Sequence, residues 1–426
     1  MTVTPLRPAA SPRDVFLTTV LLFLGLRLLL LMALPAETLF QYGDFQHYYN
    51  LAQWSAPGHC PTGPAACWPL LDYWHEFPPL FPYLSALLMR GLGGGGVPPF
   101  HTYAYGLAFV LLAADLGSLV LVHRLARRLY AADTAAWITQ VYAVLPAPLI
   151  LGWWTFDGLT TFWMLLGLWA LLERRDGLSA VAIGLGVVTK LVPVLLLPVV
   201  WRARPPMRAA LISAGAASLA LMVVAPFFVR APSMASASLS AQASKSSYAT
   251  VWAMVDGNLQ TDDGQPITGN FGPLNERFDP ARANVGLHQP SRLPGWLTLA
   301  LAAAAFGVVW LRSHRSGKAW SDQQAVLLLA FTWAVFVLWS KGWSPQWQQM
   351  LVPLILLTIP NRTGVLFALL LAGVSFLEWP VLLSRGLFWG YWLTIPLRTL
   401  LIGGWAVALA LALLPARRAG PAEAMR

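Results

Sequence analysis

The sequence predicts an all-α membrane protein whose helices cross the bilayer many times, and three observations lead to this class. Of the 426 residues, 57% are hydrophobic and only 11% are charged, whereas a soluble domain carries roughly 25% charged residues. The deficit extends along nearly the whole chain, so residues 1–426 are expected to form a single transmembrane domain. The 21 tryptophans suit membrane interfaces, although they also suit stacking on sugars or lipid.

The candidate segments are the apolar runs of the sequence. They lie at about 15–34, 100–122, 134–151, 159–172, 178–200, 209–229, 294–312, 323–340, 346–359, 363–379 and 395–414. The first run is long for a signal peptide and lacks a small-residue cleavage site, so we interpret it as a retained span.

Basic residues at the ends of the runs predict the orientation, because loops rich in Lys and Arg stay in the cytoplasm. The clusters are Arg124/Arg127/Arg128, Arg174/Arg175, Arg202/Arg204/Arg208, Arg312/Arg315/Lys318, Arg362 and Arg417/Arg418. The run 178–200 has basic residues at both ends, which favours a hairpin of two half-crossings broken near Pro193 and Pro198. The prediction is then a helix bundle of about 12 segments in the cell membrane, with both termini inside.

This orientation places two long loops outside the cytoplasm, at 35–99 and 230–293. A Ser/Ala-rich stretch in the second loop, 231–247, is expected to be mobile. The two cysteines of the chain, Cys60 and Cys67, lie in the first loop, where an oxidising compartment favours a disulfide. A metal site is not expected, because no further cluster of ligands accompanies them. The net charge of +10 includes no basic run with interleaved aromatics, so nucleic acid is not an expected partner.

Polar residues from separate parts of the chain gather at the extracytoplasmic face of this topology. They are Asp44, Glu76, Asp157, Lys341, Gln346 and Glu378. A carboxylate beside aromatic rings at the membrane edge can act as a general base, and a cation there can stabilise a phosphate. We favour a catalytic role for Asp44 and Glu76. Asp157 is equally suited to cap the following helix, and Glu378 to a structural place at a helix end.

Further charged residues have both a functional and a structural interpretation. Lys190 lies near the tip of the proposed hairpin, where a charge needs a wet cavity or an ionic partner. His75, next to Glu76, is a candidate to touch substrate. Arg277 is a candidate to meet a phosphate or simply a solvated loop residue. Arg27 and Asp115 lie within the first two spans and are best explained as a structural ion pair.

Several short motifs resemble one enzyme family. They are Gly43-Asp44 with Tyr48-Tyr49, Phe77-Pro78-Pro79-Leu80-Phe81-Pro82-Tyr83-Leu84, Phe156-Asp157-Gly158, Thr189-Lys190-Leu191-Val192-Pro193 and Lys341-Gly342-Trp343-Ser344-Pro345-Gln346. Their order and spacing, over nearly the full chain, are similar to those of the C-type (GT-C) membrane glycosyltransferases, most of all the polyprenyl-phosphate-mannose-dependent mannosyltransferases. Many relatives have Tyr where this chain has Phe77, and the cysteine-containing insertion is a second departure.

The resemblance implies an inverting sugar transfer on the extracytoplasmic face. The donor would be a sugar, mannose above all, on a polyprenyl phosphate, and the acceptor a glycan, lipid or protein hydroxyl. Asp44 would deprotonate that hydroxyl, Tyr48 would line the substrate site, and Lys341 and Arg385 would be candidates to hold the phosphate. Such donors need no nucleotide-binding domain, in agreement with the absence of a glycine-rich fingerprint, and no cofactor is implied.

Two other classes of function compete with this one. A transporter or flippase of lipid-linked sugars would show inverted repeats and polar residues at the bilayer midplane, whereas the polar residues here gather at one face. A non-catalytic scaffold that binds glycolipid would tolerate the loss of Asp44 and Glu76.

Overall fold

The regular structure of the protein is helical. The computed structural model describes residues 11–260, 271–285, 288–314 and 320–414. Within these ranges, the extended pairings are two isolated bridges, Pro69–Tyr73 and Tyr248–Gly342. The prediction of an all-α fold is therefore confirmed.

The α-helices of the described residues follow one another along the chain with short connections, apart from the two long loops. They are α1 (Pro12–Ala33), α2 (Ala36–Leu39), α3 (Phe45–Ala52), α4 (Leu80–Gly93), α5 (Phe100–Leu129), α6 (Ala132–Val144), α7 (Pro146–Leu151), α8 (Asp157–Leu172), α9 (Asp176–Thr189), α10 (Leu197–Ala203), α11 (Pro206–Arg230), α12 (Pro232–Ser244), α13 (Val251–Asp256), α14 (Gly295–His314), α15 (Asp322–Trp339), α16 (Gln348–Thr358), α17 (Arg362–Phe376) and α18 (Tyr391–Leu413). Short 3₁₀ helices lie at Gln53–Ser55, Val192–Leu196, Leu274–Phe278, Pro280–Asn284, Pro345–Trp347 and Phe388–Gly390, and a π-helix follows α17 at Leu377–Leu383.

Among the described residues, seven helices are long and apolar enough to cross a membrane. They are Pro12–Ala33, Phe100–Leu129, Pro206–Arg230, Gly295–Ser313, Asp322–Trp339, Arg362–Leu383 and Phe388–Leu413. Shorter apolar helices lie at Asp157–Leu172, Asp176–Thr189 and Val192–Ala203. The chain is thus a multi-pass membrane protein, and the count of 12 segments stays a prediction.

Local sequence signals explain several helix boundaries. At the start of α1, the Ser11 side chain accepts the backbone N–H of Asp14 while the Asp14 carboxylate bonds back to Ser11. Ser321 and Gln324 form the same reciprocal arrangement at the start of α15. These capping boxes satisfy backbone donors that have no partner within the helix.

One end of the bundle gathers basic residues with acidic partners, and we call it the basic end. Arg128 joins Glu173 and Asp322, with N–O distances of 2.8 and 2.7 Å. Arg204 joins Asp176 at 2.8 Å and also bonds the carbonyl of Leu171. The predicted basic positions Arg315, Lys318, Arg417 and Arg418 lie outside the described residues.

The segment 176–203 is a hairpin that enters and leaves the bundle at the basic end. The pair Asp176–Arg204 closes its base, because Asp176 begins α9 and Arg204 follows α10. The segment doubles back as predicted, whereas its place in the membrane as a pair of half-crossings stays a prediction. The break lies at Lys190 and Leu191, just before the predicted Pro193, and a 3₁₀ turn leads into α10.

The bundle core contains the ion pair that was predicted between the first two long spans. Arg27 Nε lies 2.7 Å from Asp115 Oδ2, and both side chains are buried. The Arg27 guanidinium also rests over the Phe23 ring. Paired in this way, neither charge is left exposed to lipid.

Outside the long spans, the two long loops pack against each other. The Ser/Ala-rich stretch expected to be mobile instead forms α12, whose Ser238 hydroxyl accepts the backbone N–H of His75 at 3.0 Å. A disulfide joins Cys60 and Cys67, whose Cα atoms are 5.5 Å apart, and it packs beside Trp54. The small side chains of α12 permit this close packing. From composition alone, the same small residues predicted a mobile segment.

Candidate active site

A cavity of about 1260 Å³ opens at the end of the bundle opposite the basic end. The cavity and the basic end lie at opposite ends of α15. This helix begins at Asp322, beside Arg128, and ends at Trp339 on the cavity wall. The polar and charged residues of the wall include Asp44, His47, Tyr48, Glu76, Lys190, Lys245, Arg277, Lys341 and Gln346. Residues from distant parts of the chain therefore meet in one place, as the sequence predicted for Asp44, Glu76 and Lys341.

Asp44 lies where the loop 35–99 enters α3. We call the loops 35–99 and 230–293 the first and second outer loops after their expected side of the membrane, which stays a prediction. Its backbone N–H donates to the carbonyl of Trp154 at 2.7 Å, and the close approach depends on Gly43. A Cβ atom at Gly43 would lie 2.3 Å from the Trp154 oxygen, which is shorter than any normal contact. The glycine thus lets the loop dock against the turn between α7 and α8, and this docking fixes the carboxylate on the cavity wall.

The electrostatic surroundings of Asp44 favour a basic carboxylate. Desolvation by the surrounding residues raises its pKa above the ordinary 3.8, although His47 and Lys190 oppose the shift. The Tyr48 hydroxyl donates to Oδ2 at 3.2 Å, while burial and the nearby Asp44 raise the pKa of Tyr48 well above 10.0. A carboxylate with a raised pKa on the wall of a cavity is suited to accept a proton.

Lys190 projects from the break of the hairpin toward Asp157. Its Nζ atom donates to Asp157 Oδ1 at 2.7 Å, and the Asp157 side chain is only 1% exposed. The ammonium also lies 5.6 and 5.3 Å from the ring centroids of Phe77 and Phe156. Asp157 makes no side-chain capping bond to α8, so the structure favours its role as the partner of Lys190 over the capping alternative.

Glu76 is held in a buried charge network rather than presented alone. It pairs with Arg277 and lies 3.2 Å from His47 Nε2. Burial raises the pKa of Glu76, but Arg277 and the hydrogen bond from His47 lower it more, so the net value is well below 4.5. Such a weak base is poorly suited to remove a proton, and the geometry favours an anchoring role for Glu76 over the catalytic one expected from the sequence.

Arg277 joins the second outer loop to the first. Its guanidinium lies 4.1 Å from the Trp74 ring centroid and 4.9 Å from that of Phe271. Its backbone carbonyl accepts the N–H of Trp74 at 3.0 Å. The side chain is almost fully buried, which excludes the alternative of a solvated loop residue.

Lys341 and Gln346 line a second part of the cavity wall. The Lys341 ammonium donates to Ser291 Oγ at 2.7 Å. Its carbonyl accepts from the backbone of Tyr248 and from the hydroxyl of Thr250, at 3.0 and 2.9 Å. The second outer loop therefore holds this lysine in place, and no carboxylate among the described residues pairs with it.

Four predicted substrate contacts lie away from the cavity wall. Asp157 is one of them, because it is buried and pairs with Lys190, which does line the cavity. His75 is buried behind it, and burial lowers its pKa to about 3. Glu378 pairs with Arg398 among the helices, as its structural alternative proposed. Arg385 is exposed and does not line the cavity, so the structure does not support its expected phosphate contact.

Sequence reasoning missed two cavity residues, His47 and Lys245. Lys245 follows α12, and its ammonium lies 4.5 Å from the Phe271 ring centroid. Burial lowers the pKa of Lys245 to about 8, and in the described part of the chain no carboxylate pairs with it. Its only sequence signal was a lone cation in a Ser/Ala-rich stretch. His47 had a clearer one, its place three residues after Asp44.

The described residues contain no group of three or more His, Cys, Asp and Glu side chains placed to hold a metal ion. The expectation of chemistry without a metal stays a prediction.

The fold and cavity define a multi-pass membrane protein with a charged site at one end of its helices. A family model described as glycosyltransferase family 87 matches residues 77–340, which is more than half of the chain. The chain therefore belongs to glycosyltransferase family 87. No curated protein sequence matches it.

Two solved structures are similar to this chain in outline. The oligosaccharyltransferase of Archaeoglobus fulgidus in the apo form has a TM-score of 0.43 and 15% identity, over 94% of this chain and 55% of its own. ArnT from Cupriavidus metallidurans bound to undecaprenyl phosphate has a TM-score of 0.44 and 15% identity, over 92% and 77%. The chain thus spans about half the length of the oligosaccharyltransferase, and likenesses of this degree fix neither substrate nor site.

Proposed function

We propose that this protein transfers a sugar, mannose above all, from a polyprenyl phosphate to an acceptor hydroxyl at the extracytoplasmic face of the cell membrane. The observation that carries the proposal is the cavity in which Asp44 faces lysines, at the end of the bundle opposite the basic residues. Since basic loops remain in the cytoplasm, the cavity belongs on the other side.

The cavity wall suits a donor with a charged head and an apolar tail. Lys245 and Lys341 supply positive charge, whereas the charge of Lys190 is balanced by Asp157. Leu191 and Val194, at the tip of the hairpin, line the same cavity and are 48% and 43% exposed, so their exposed parts would face lipid in a bilayer. A phosphate beside the lysines would leave the tail free to follow this apolar side into the membrane.

The chemistry follows from the base and the cations. Asp44 removes the proton of the acceptor hydroxyl as its oxygen attacks the anomeric carbon. The bond from that carbon to the phosphate oxygen breaks, and the lipid phosphate leaves. Attack from the side opposite the phosphate inverts the anomeric configuration. Lysines near the phosphate stabilise the charge that develops on it.

A transfer assay tests this proposal. The full chain in proteoliposomes is supplied with radiolabelled polyprenyl-phosphate mannose, and with the glucose and arabinose donors as alternatives, together with lipid, glycan and peptide acceptor fractions. We expect transfer from the mannose donor, and a loss of roughly 10²–10⁴ in rate for Asp44→Asn.

The matched control is Asp72→Asn, which changes an exposed aspartate of the same outer loop and is expected to keep wild-type turnover. Equal turnover for wild type and Asp44→Asn would contradict the assignment of the base. A failure of wild type with every polyprenyl-phosphate sugar would contradict the donor class, and transfer from another sugar alone would contradict mannose.

A further inference from the structure

A buried arginine of α18 contacts both chain segments that bring Lys341 to the cavity. Arg398 pairs with Glu378 of the π-helix, and both side chains are buried. The guanidinium also donates a hydrogen bond to the backbone carbonyl of Ala249, in the second outer loop. It lies 4.5 Å from the ring centroid of Trp343, which follows Lys341 by two residues. The arginine therefore attaches both segments to the helix bundle.

The two segments are joined to each other on either side of Ala249. The backbone N–H of Tyr248 donates to the Lys341 carbonyl at 3.0 Å, and that of Trp343 donates to the Tyr248 carbonyl at 3.2 Å. The Thr250 hydroxyl donates to the same Lys341 carbonyl at 2.9 Å. Because the neighbours of Ala249 on both sides hold the backbone of the lysine, the conformation of Ala249 decides where that backbone lies.

Ala249 has a backbone conformation that alanine rarely adopts. Its φ angle is 47°, in the left-handed region, where a Cβ atom is crowded by the backbone and glycine is the usual residue. A non-glycine residue stays in this region only where the surrounding contacts impose it. The carbonyl to which Arg398 donates belongs to this residue, so the arginine supplies one of those contacts.

Lys341 is the residue of this assembly that can meet a substrate anion. It lines the cavity, and its ammonium donates to Ser291 Oγ at 2.7 Å. Arg398 does not line the cavity, so it can act on a substrate only through the segments that it holds. A displacement of about 1 Å in a group that holds a substrate is enough to weaken its contribution.

We propose that Arg398 is a positioning residue, which holds the left-handed turn at Ala249 and thereby places Lys341 to bind the phosphate of the polyprenyl donor. The inference rests on the proposed function. The phosphate is bound before and during the transfer, so loss of the placement weakens binding of the donor more than turnover. An ion pair that merely stabilises the bundle has no such effect on KM.

A paired replacement tests Arg398 without leaving a buried charge. Arg398→Met alone would leave the Glu378 carboxylate buried and unpaired, so the test variant combines Glu378→Gln with Arg398→Met. The matched control combines Asp115→Asn with Arg27→Met, a similar change at the buried pair of the bundle core, which does not line the cavity. The full chain in proteoliposomes is assayed with radiolabelled polyprenyl-phosphate mannose. Equilibrium binding of radiolabelled undecaprenyl phosphate is measured in detergent.

In the test variant, we expect the KM for the donor and the Kd for undecaprenyl phosphate to rise about tenfold, with kcat within about threefold of wild type. The control should keep the wild-type KM and Kd.

Two substitutions at Ala249 examine the turn itself. Ala249→Gly, added to the test variant, should lower KM severalfold toward wild type, because glycine adopts the left-handed region without help from the arginine. Ala249→Val in the wild-type background leaves the ion pair intact. It should raise KM from the loop side, since a β-branched residue fits this region poorly.

Wild-type KM and Kd in the test variant, or wild-type KM in Ala249→Val, would overturn the inference. An equal rise in the control would do the same, because the effect would then follow from any lost ion pair. A failure of Ala249→Gly to restore KM would also overturn it, by showing that the pair stabilises the bundle without holding the turn. All of these results leave the wild type active and the proposed function intact. Absence of transfer by the wild type would instead overturn the proposed function, and the positioning role with it.

Discussion

Removing one partner of the ion pair between Glu76 and Arg277 should lower the free energy of unfolding by several kcal/mol. The two side chains are 7% and 2% exposed. Removing one member of a buried ion pair costs about 3–5 kcal/mol, because the other charge stays buried without compensation. For Arg277→Met we expect about 3 kcal/mol, the lower end of that range, since His47 still contacts Glu76 at 3.2 Å.

A double-mutant cycle isolates the interaction. Arg277→Met, Glu76→Leu and the double variant are unfolded with SDS in mixed micelles and followed by far-ultraviolet circular dichroism. The double variant should be within about 1 kcal/mol of wild type, because apolar replacement of a buried pair is often close to neutral. The control is Arg282→Met, an exposed arginine of the same loop, with an expected change within about 0.5 kcal/mol.

The pH dependence of the free energy of unfolding tests the same ion pair. The folded-state pKa of Glu76 is below its ordinary 4.5, so the stability that its ionisation contributes is fully present above pH 4.5. It is lost as the pH falls through the depressed folded value. The difference between wild type and Arg277→Met should therefore narrow on acidification. Additive costs in the cycle, or a constant difference across this range, would refute the reasoning.

Three further predictions concern the proposed base and the first outer loop. Because burial raises the pKa of Asp44 above 3.8, kcat/KM should rise with pH through a midpoint above that value as the carboxylate loses its proton, measured with the transfer assay. Gly43→Ala places a Cβ atom 2.3 Å from a backbone oxygen, so the base should shift and kcat should fall about 10–100-fold. Replacing Cys60 and Cys67 by serine should cost about 2–3 kcal/mol in the SDS titration, and a membrane-impermeant reductant should reach this disulfide only from the extracytoplasmic side.

Each of these predictions has a contradicting result, and Gly43→Ala also has a matched control. The control is Gly63→Ala, which adds a Cβ atom to open space in the same loop and should keep wild-type kcat. A wild-type kcat in Gly43→Ala would contradict the claim that Gly43 is needed for the close approach to Trp154. A kcat/KM that does not change with pH would count against a carboxylate base. Reduction of the disulfide from the cytoplasmic side alone would contradict the predicted topology.

Much of the helical fold was predictable because apolar runs report burial in lipid directly. The runs at 159–172 and 323–340 correspond to α8 (Asp157–Leu172) and α15 (Asp322–Trp339). The hairpin was also predictable, since charge at both ends of one run leaves few alternatives. Composition did not predict α12. Its small residues are typical of both a mobile linker and a closely packed helix, and only the surface against which the segment packs decides between the two.

The sequence predicted several residues of the cavity, but few of their ionic partners. Asp44 and Lys190 belong to motifs with a physical reason to lie near a phosphosugar. The roles of Glu76 and Glu378 depended on Arg277 and Arg398, which lie 201 and 20 residues further along the chain. No local pattern indicates such partners, because they meet through tertiary packing.

The hairpin 176–203 also bears on how the protein is made. Its tip carries Lys190 into the depth of the bundle, which would be costly for an isolated segment in lipid. The acidic partner that makes this depth tolerable begins α8, so it leaves the ribosome first. Synthesis from the N-terminus therefore supplies the surface that receives the hairpin before the hairpin itself is made. A circular permutant in which 176–203 is synthesised ahead of α8 should insert poorly.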